Sequence, residues 1–429
     1  MDTPSPTLGA RLREARTRTG LDQQAAATAL EVDRVNLSYW ENDRRTPGLA
    51  HLQRLADVYG TSVDYLLGNT DDFEETGHRE ALYQHLTGTH LTGTDKQAQK
   101  ALKTWLTFLD EWAELREEAD GDLPGRGQSF VPEGRVAEPV TDSRRAPTLA
   151  VRTRELCHLG TDAIPDLMAF LDSRDILVCR KDMGRGSDVS GMFYNHPRLG
   201  FCILVNSAHQ PGRQQFTMAH EMAHALFHHQ EKGLISRASV KDRREKFADT
   251  FAAHFLVPTD ALRQAVQRCE PLTPGVPLDP YDVVRLQREF RVSYAMLLLR
   301  LYSEAFIDQA TFDRYRQYSP KGLAERLNVN TLEFQYRPDC PPELTTYSPS
   351  IIDTVIRYLH EDRLSVPSAA SLLDVPQEVI SALLRQYDQA HADEMQEYDQ
   401  LPSPDQINPR FSRSHPAGKS AARKSRAVN

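Results

Sequence analysis

Two histidines and a glutamate stand together in His220-Glu221-Met222-Ala223-His224, inside the run FTMAHEMAHALFHH that covers 216 to 229. On an α-helix, positions four apart lie one above the other, so His220 and His224 can aim their rings at one point with Glu221 beside it. Neutral imidazole is a good zinc ligand, and an open fourth position would hold a water that a nearby carboxylate can deprotonate. Phe216, Ala219, Ala223 and Leu226 form the opposite stripe, which anchors the helix. The bland alternative is a pair of core histidines satisfied by hydrogen bonds. A second run, REKFADTFAAHFLVP, weighs toward the metal. Glu245 and Asp249 share a helix face, while Phe247, Ala248, Phe251, Ala252 and Phe255 supply packing. Glu245 can be a third ligand, and Asp249 can accept the far ring N–H of a ligand histidine and fix its tautomer. Otherwise the two acids are a solvated face beside Arg244 and Lys246. His228 and His229, just past the motif, read as exposed helix-end residues. Tyr194, His196 and His254 are candidates for holding an oxyanion, although a lone His or Tyr is more often structural.

These runs carry a resemblance. ILVN ends at Asn206, RQQFTMAHEMAH covers 213 to 224 and EKFADTFAAHFLVP covers 245 to 258. From about 160 to 300 the chain thus resembles the ImmA/IrrE family of zinc metallopeptidases, with departures at Phe247 and Val257 that touch none of the proposed chemistry. The resemblance implies a zincin-like α+β domain with a small sheet and the H-E-x-x-H helix. It implies Zn2+ held by His220, His224 and Glu245, with Glu221 as catalytic base. Glu221 would take a proton from the attacking water and hand it to the leaving amine. The family cleaves protein regulators at specific sites, so the expected substrate is a repressor or antitoxin-like partner. That substrate is expected to lie extended along an edge strand formed by Ile203, Leu204, Val205 and Asn206.

Residues 8 to 68 carry a different pattern. LGARLREARTRTG reads as an amphipathic helix ending at Gly20, DQQAAATALEV as a second, and DRVNLSYWEN as a third capped by Asp33. The alanines of the second allow the third to pack closely. With YWENDRRTPGLAHLQRLADVYGTSVDYLL following, the segment resembles the lambda-repressor-like, XRE-type helix-turn-helix family. The resemblance implies that Arg34, Val35, Asn36 and Tyr39 face the major groove of double-stranded DNA. It places Gln23, Asn42, Arg44 and Arg45 at phosphates, with Leu37 and Trp40 in the core. Between 8 and 70 eight basic residues meet eight acidic ones, so phosphate attraction is weak. Either two heads act together in a homodimer or the module binds protein instead.

The elements that must position these groups fall into segments. The expected organisation is multidomain and mainly α: a five-helix DNA-binding domain over 5–70, a helical connector over 71–119 and a flexible linker over 120–148. A peptidase domain over 149–306, a helical region over 307–400 and a disordered basic tail over 401–429 follow. Ala98, Leu102, Trp105, Leu109 and Trp112 recur at helical spacing and make one apolar stripe, which must pack on its own chain or on a second copy. IPDLMAFLDSRDILVCRK reads as a helix leading into a strand, GMFYN and FCILVNS as further strands, and 351 to 386 as a small helix-turn-helix. The tail holds six basic residues and no acid from 407 onward, either a solvated end or a loose phosphate contact. No apolar run is long enough for a membrane span, no secretory signal opens the chain, and five scattered cysteines fit reduced thiols, so a cytoplasmic protein is expected. Taken together, the sequence points to a regulatory zinc peptidase behind a DNA-binding head. Two alternatives stay open: a repressor whose zinc domain only senses, and a protein that cuts its own linker.

Overall fold

The computed structural model describes residues 6–18, 21–30, 32–59, 61, 63–68, 96–121, 139–229, 233–237, 242–269, 278–329 and 340–400. The basic tail, most of the linker and the first half of the connector lie outside these residues.

Five short helices open the chain: α1 (Leu8–Arg18), α2 (Gln23–Ala29), α3 (Arg34–Glu41), α4 (Leu49–Tyr59) and α5 (Val63–Leu67). They close around Leu12, Ala26, Ala27, Leu37, Leu55 and Leu66, all fully buried, with Trp40 nearly so. Asp22 caps α2 by accepting from the Ala25 N–H. Asp33 stands at the cap position of α3, but its side chain makes no capping bond, contrary to the sequence expectation. The head is further tied by Glu41, whose buried carboxylate takes Arg16 at 2.6 Å and the Gln23 amide at 2.8 Å, so one acid joins α1, α2 and α3.

The second body is built on a four-stranded sheet. Helix α6 (Lys96–Asp120) precedes it, then α7 (Ala146–Leu156) and α8 (Leu167–Asp172). Strands β1 (Leu177–Lys181), β2 (Val189–His196) and β3 (Gly200–Asn206) follow, with α9 (Pro211–Phe227), β4 (Gly233–Arg237) and α10 (Arg243–Leu256) after them. The order across the sheet is β1-β3-β2-β4, with β1 parallel to β3 and the other neighbours antiparallel. Helices α11 (Thr259–Arg268), α12 (Pro280–Phe290), α13 (Tyr294–Ser303), α14 (Gln309–Tyr315) and α15 (Pro320–Arg326) continue the chain, and α16 (Pro349–His360), α17 (Val366–Leu372) and α18 (Gln377–Gln400) end the described part.

Because side chains alternate across a strand, the sheet buries two faces. Val178, Phe193, Phe201, Ile203 and Val205 meet α7, α9 and α10 on one side. Leu177, Cys179, Met192, Tyr194, Cys202 and Leu204 meet α6 and α16 to α18 on the other. This settles where the Trp105 stripe goes: Trp105 and Trp112 are buried within their own chain, Trp105 edge-on to Tyr194 with ring centroids 6.3 Å apart. A homodimer formed through that stripe is therefore not available. Asp120, at the end of α6, bonds Arg357 and the Tyr358 hydroxyl at 3.0 and 2.8 Å, latching α6 to α16.

The strand offered above as an edge is interior. All seven residues of β3 are buried, and it is paired on both sides, by Cys202 to Leu177 in β1 and Ile203 to Phe193 in β2. Ile203, Leu204, Val205 and Asn206 therefore have no free backbone edge to offer a peptide. The Asn206 side chain instead braces the sheet end, accepting from the Met183 and Ala208 N–H groups and donating to the Gly184 and Val189 carbonyls.

Candidate metal centre and DNA-facing helix

Pro211 at the first turn starts α9, a position where a missing N–H is no loss. The helix is apolar on more than one stripe: Met218, Ala219, Met222, Ala223, Ala225, Leu226 and Phe227 are all buried, so it runs through the core rather than over it. Phe227 meets Phe247 and Phe251 of α10, each with ring centroids 5.3 Å apart, which sets the two helices side by side. Asp242 caps α10, accepting from the N–H groups of Arg244 and Glu245. That cap fixes Glu245 in the first turn, opposite the two histidines.

The result is a triangle of atoms of the kind that ligate metals. His220 Nε2 lies 3.1 Å from Glu245 Oε2 and 3.1 Å from His224 Nε2, and His224 Nε2 lies 3.3 Å from Glu245 Oε1. A tetrahedral zinc with bonds near 2.0–2.1 Å requires neighbouring ligand atoms about 3.3 Å apart, so the donor set fits the ion in size and in chemistry. Among the described residues this is the one group of three such side chains close enough to hold a metal. Asp249 accepts from His220 Nδ1 at 2.9 Å, as the sequence suggested.

Charge points the same way. Burial opposes a charged His220 ring, but the hydrogen bonds to Asp249 and Glu245 outweigh it and raise its pKa. Burial likewise disfavours a charged Glu245, yet both histidines hold its carboxyl well below the usual range. The cluster calls for positive charge at its centre. Glu221 is different: burial pushes its carboxyl up to about 8, with the charge on His220 opposing. Neither of its oxygens has a hydrogen-bond partner, and neither does the neighbouring Ser236 hydroxyl on β4. A buried carboxyl left unpaired costs stability unless something else uses it. Gly191 of β2 makes the space for it, since a Cβ there would stand 2.7 Å from Glu221 Oε1 and 2.5 Å from Thr217 Cγ2.

One sequence expectation about this site fails, and one set of candidates falls away. His228 is not an exposed helix end: it is fully buried, its Nδ1 2.8 Å from His224 Nδ1 and its Nε2 2.9 Å from the Val140 carbonyl. Its place was legible in the spacing, because 220, 224 and 228 continue one face of α9. His229 is half-buried, with Nδ1 3.3 Å from the Leu226 carbonyl. The three oxyanion candidates also point elsewhere. Tyr194 and His196 lie on the far face of β2, against Trp105 and Asp110, and His254 sits beside Arg300 nine residues beyond Glu245.

In the head, Arg34 and Val35 are exposed at the start of α3, and Val35 shows 59% of its surface. Asn36 and Tyr39 are half-buried on the same helix, and Arg45 lies over the Tyr39 ring at 5.7 Å. Asn42, Arg44 and Arg45 are exposed beyond it. Gln23 already uses an amide N–H on Glu41. Arg13, which sequence reasoning passed over, joins this end of the head by donating to Asn42 Oδ1 at 2.6 Å.

Residues 7–66 match a helix-turn-helix domain, and residues 171–302 match the IrrE N-terminal-like domain of the M78 peptidases. The chain is similar to the HTH-type transcriptional regulator ImmR of Bacillus subtilis, 32% identical over 121 residues, which is 24% of this chain and 95% of ImmR. The chain belongs to the ImmR-like helix-turn-helix regulators and carries, beyond that head, an IrrE N-terminal-like domain. It is also similar to the HTH-type transcriptional regulator RamB of Mycobacterium tuberculosis, 22% identical over 324 residues, covering 68% of this chain and 64% of RamB. The IrrE-like match spans the sheet, α9 and α10, and therefore the whole triangle. No helix among the described residues is long and apolar enough to cross a membrane.

Proposed function

We propose that this protein is a cytoplasmic, zinc-dependent metalloendopeptidase that regulates transcription, joined to a DNA-binding head. The observation that carries the proposal is the triangle of His220, His224 and Glu245 at zinc-ligand separations with the unpaired Glu221 carboxyl alongside. Zinc held there would lower the pKa of a bound water and polarise a peptide carbonyl. Glu221, with its carboxyl pushed up to about 8, is suited to take a proton and return it to a leaving amine near neutral pH. Asp249 orients His220.

The peptide is best received on β4. It is the outer strand on the Glu221 side of the sheet, paired to β2 with Met192 opposite Ile235, and no described strand covers its other edge. A substrate added there would run beside Ser236 and over Glu221. Its class, from the family likeness, is a protein regulator of repressor or antitoxin type.

In the head, Arg34, Val35, Asn36 and Tyr39 would read bases, with Asn42, Arg44 and Arg45 at phosphates. Gln23 joins them only to the extent that Glu41 releases its amide, and Arg13 adds a cation beside Asn42. A second reading, a repressor whose metal domain senses without cutting, draws on the names of ImmR and RamB, both transcriptional regulators.

Metal analysis of purified protein with Glu221→Gln separates the two. The peptidase reading expects the variant to keep one zinc per chain and lose cleavage of a co-purified regulator. A variant that keeps zinc and every biological effect would favour the sensor, and mass measurement of aged wild-type protein reports whether the linker is cut.

A further inference from the structure

We propose that His228 and the main-chain carbonyl of Val140 set the tautomer of His224, which makes His228 a positioning residue of the metal centre. The proposal rests on the reading of His220, His224 and Glu245 as ligands. A carbonyl can only accept, so the His228 Nε2 that stands 2.9 Å from Val140 O carries a proton and donates it. The His228 ring is fully buried edge-on against Phe247, with centroids 5.5 Å apart, and its two hydrogen-bond partners are a carbonyl and an imidazole. An imidazole that carries its one proton on Nε2 has a bare Nδ1.

That bare Nδ1 lies 2.8 Å from His224 Nδ1, so His224 must be the donor between them. His224 then has its one proton on Nδ1, and its Nε2 lone pair faces His220 and Glu245 across 3.1 and 3.3 Å. The other tautomer would put an N–H where a metal must sit. The two ligand histidines thus reach one state by different routes. His220 leans on the exposed carboxylate of Asp249, and His224 leans on a buried neutral chain. Val140 is itself pinned, since its N–H donates to the Phe227 carbonyl at 3.3 Å at the end of α9. The backbone that enters the domain from the linker side is therefore part of the metal site's support.

The test uses the full chain, with His228→Phe, which fills the space without hydrogen bonds, and His228→Gln, whose amide can donate to Val140 O and accept from His224. Zinc affinity is measured by chelator competition. His228→Phe is expected to bind zinc ten- to a hundredfold more weakly, and His228→Gln to recover most of the loss. In chelator-treated wild type, nitrogen-15 spectra of the imidazoles are expected to show His224 protonated at Nδ1. Wild-type affinity in a folded His228→Phe variant, or an Nε2–H tautomer at His224 in the wild type, overturns the proposal. Should His228→Phe not fold, the wild-type spectrum decides. Should the wild type take up no zinc, the ligand reading falls, while the same spectrum still decides the tautomer.

Discussion

Glu221 is an acid kept where folding alone would not put one. Its carboxyl is fully buried, both oxygens lack a partner, and burial raises it from 4.5 to about 8. Such a group is stabilised in the native state only while protonated. The unfolded chain releases the proton near 4.5, so between 4.5 and about 8 the native state binds more protons than the unfolded one. The stability that goes with that proton is therefore present below 4.5 and lost as pH rises through about 8. In chelator-treated protein, Glu221→Gln is neutral at every pH and escapes the loss. The difference in melting temperature between variant and wild type is expected to grow in the variant's favour from pH 4.5 to 8. A constant difference would mean that the carboxyl is solvated after all. Asp249 belongs to the same scale with the opposite sign of importance: it is exposed, so Asp249→Ala should leave stability nearly unchanged. Zinc affinity should nevertheless fall roughly ten- to a hundredfold, read by chelator competition, because His220 loses the acceptor on Nδ1.

At the scale of elements, the site depends on how closely β2 approaches α9. Gly191 carries that approach, since a Cβ would collide with Thr217 and with Glu221 itself. Gly191→Ala should destabilise the domain by roughly 1–3 kcal/mol, as overpacking does, measured by denaturant titration. Thr217→Ser, which removes the Cγ2 methyl, should restore part of the stability, because the contact of 2.5 Å is with that methyl. If the single variant is as stable as wild type, β2 and α9 are looser than described. This contact also shows what the sequence could reveal. The two helices and the side chains they turn toward each other were legible because a period of about 3.6 places side chains on one face without reference to the rest of the chain. Three of the four strands were legible as well, but their order in the sheet was not, because pairing is non-local. FCILVN is apolar at nearly every position, the pattern of a strand covered on both faces, and this argued against the edge role assigned to it. The true edge, GLISR, is five residues long and follows α9, with no alternation strong enough to mark it.

For the whole molecule the decisive contact is that of α6 with the back of the sheet. The stripe of Trp105, Leu109 and Trp112 could have served a dimer, and a head with eight basic and eight acidic residues would gain DNA affinity from one. The structure uses the stripe within the chain: Phe108 meets Tyr347 with centroids 5.1 Å apart, and Trp105, Leu109 and Trp112 share a core with Ile351, Ile352 and Val355. The 340–383 region is thereby a layer of the sheet-containing body, bonded to β1 through Ser348 and Val178. A buried tryptophan in such a core is worth about 3–5 kcal/mol on truncation to alanine. Trp105→Ala should therefore lower the melting temperature of the sheet-containing body. The loss should be the same at protein concentrations tenfold apart, because stability drawn from contacts within one chain does not depend on mass action. If the loss shrinks as protein is concentrated, and the wild-type melting temperature itself rises with concentration, the stripe is shared between copies and the intramolecular packing is wrong.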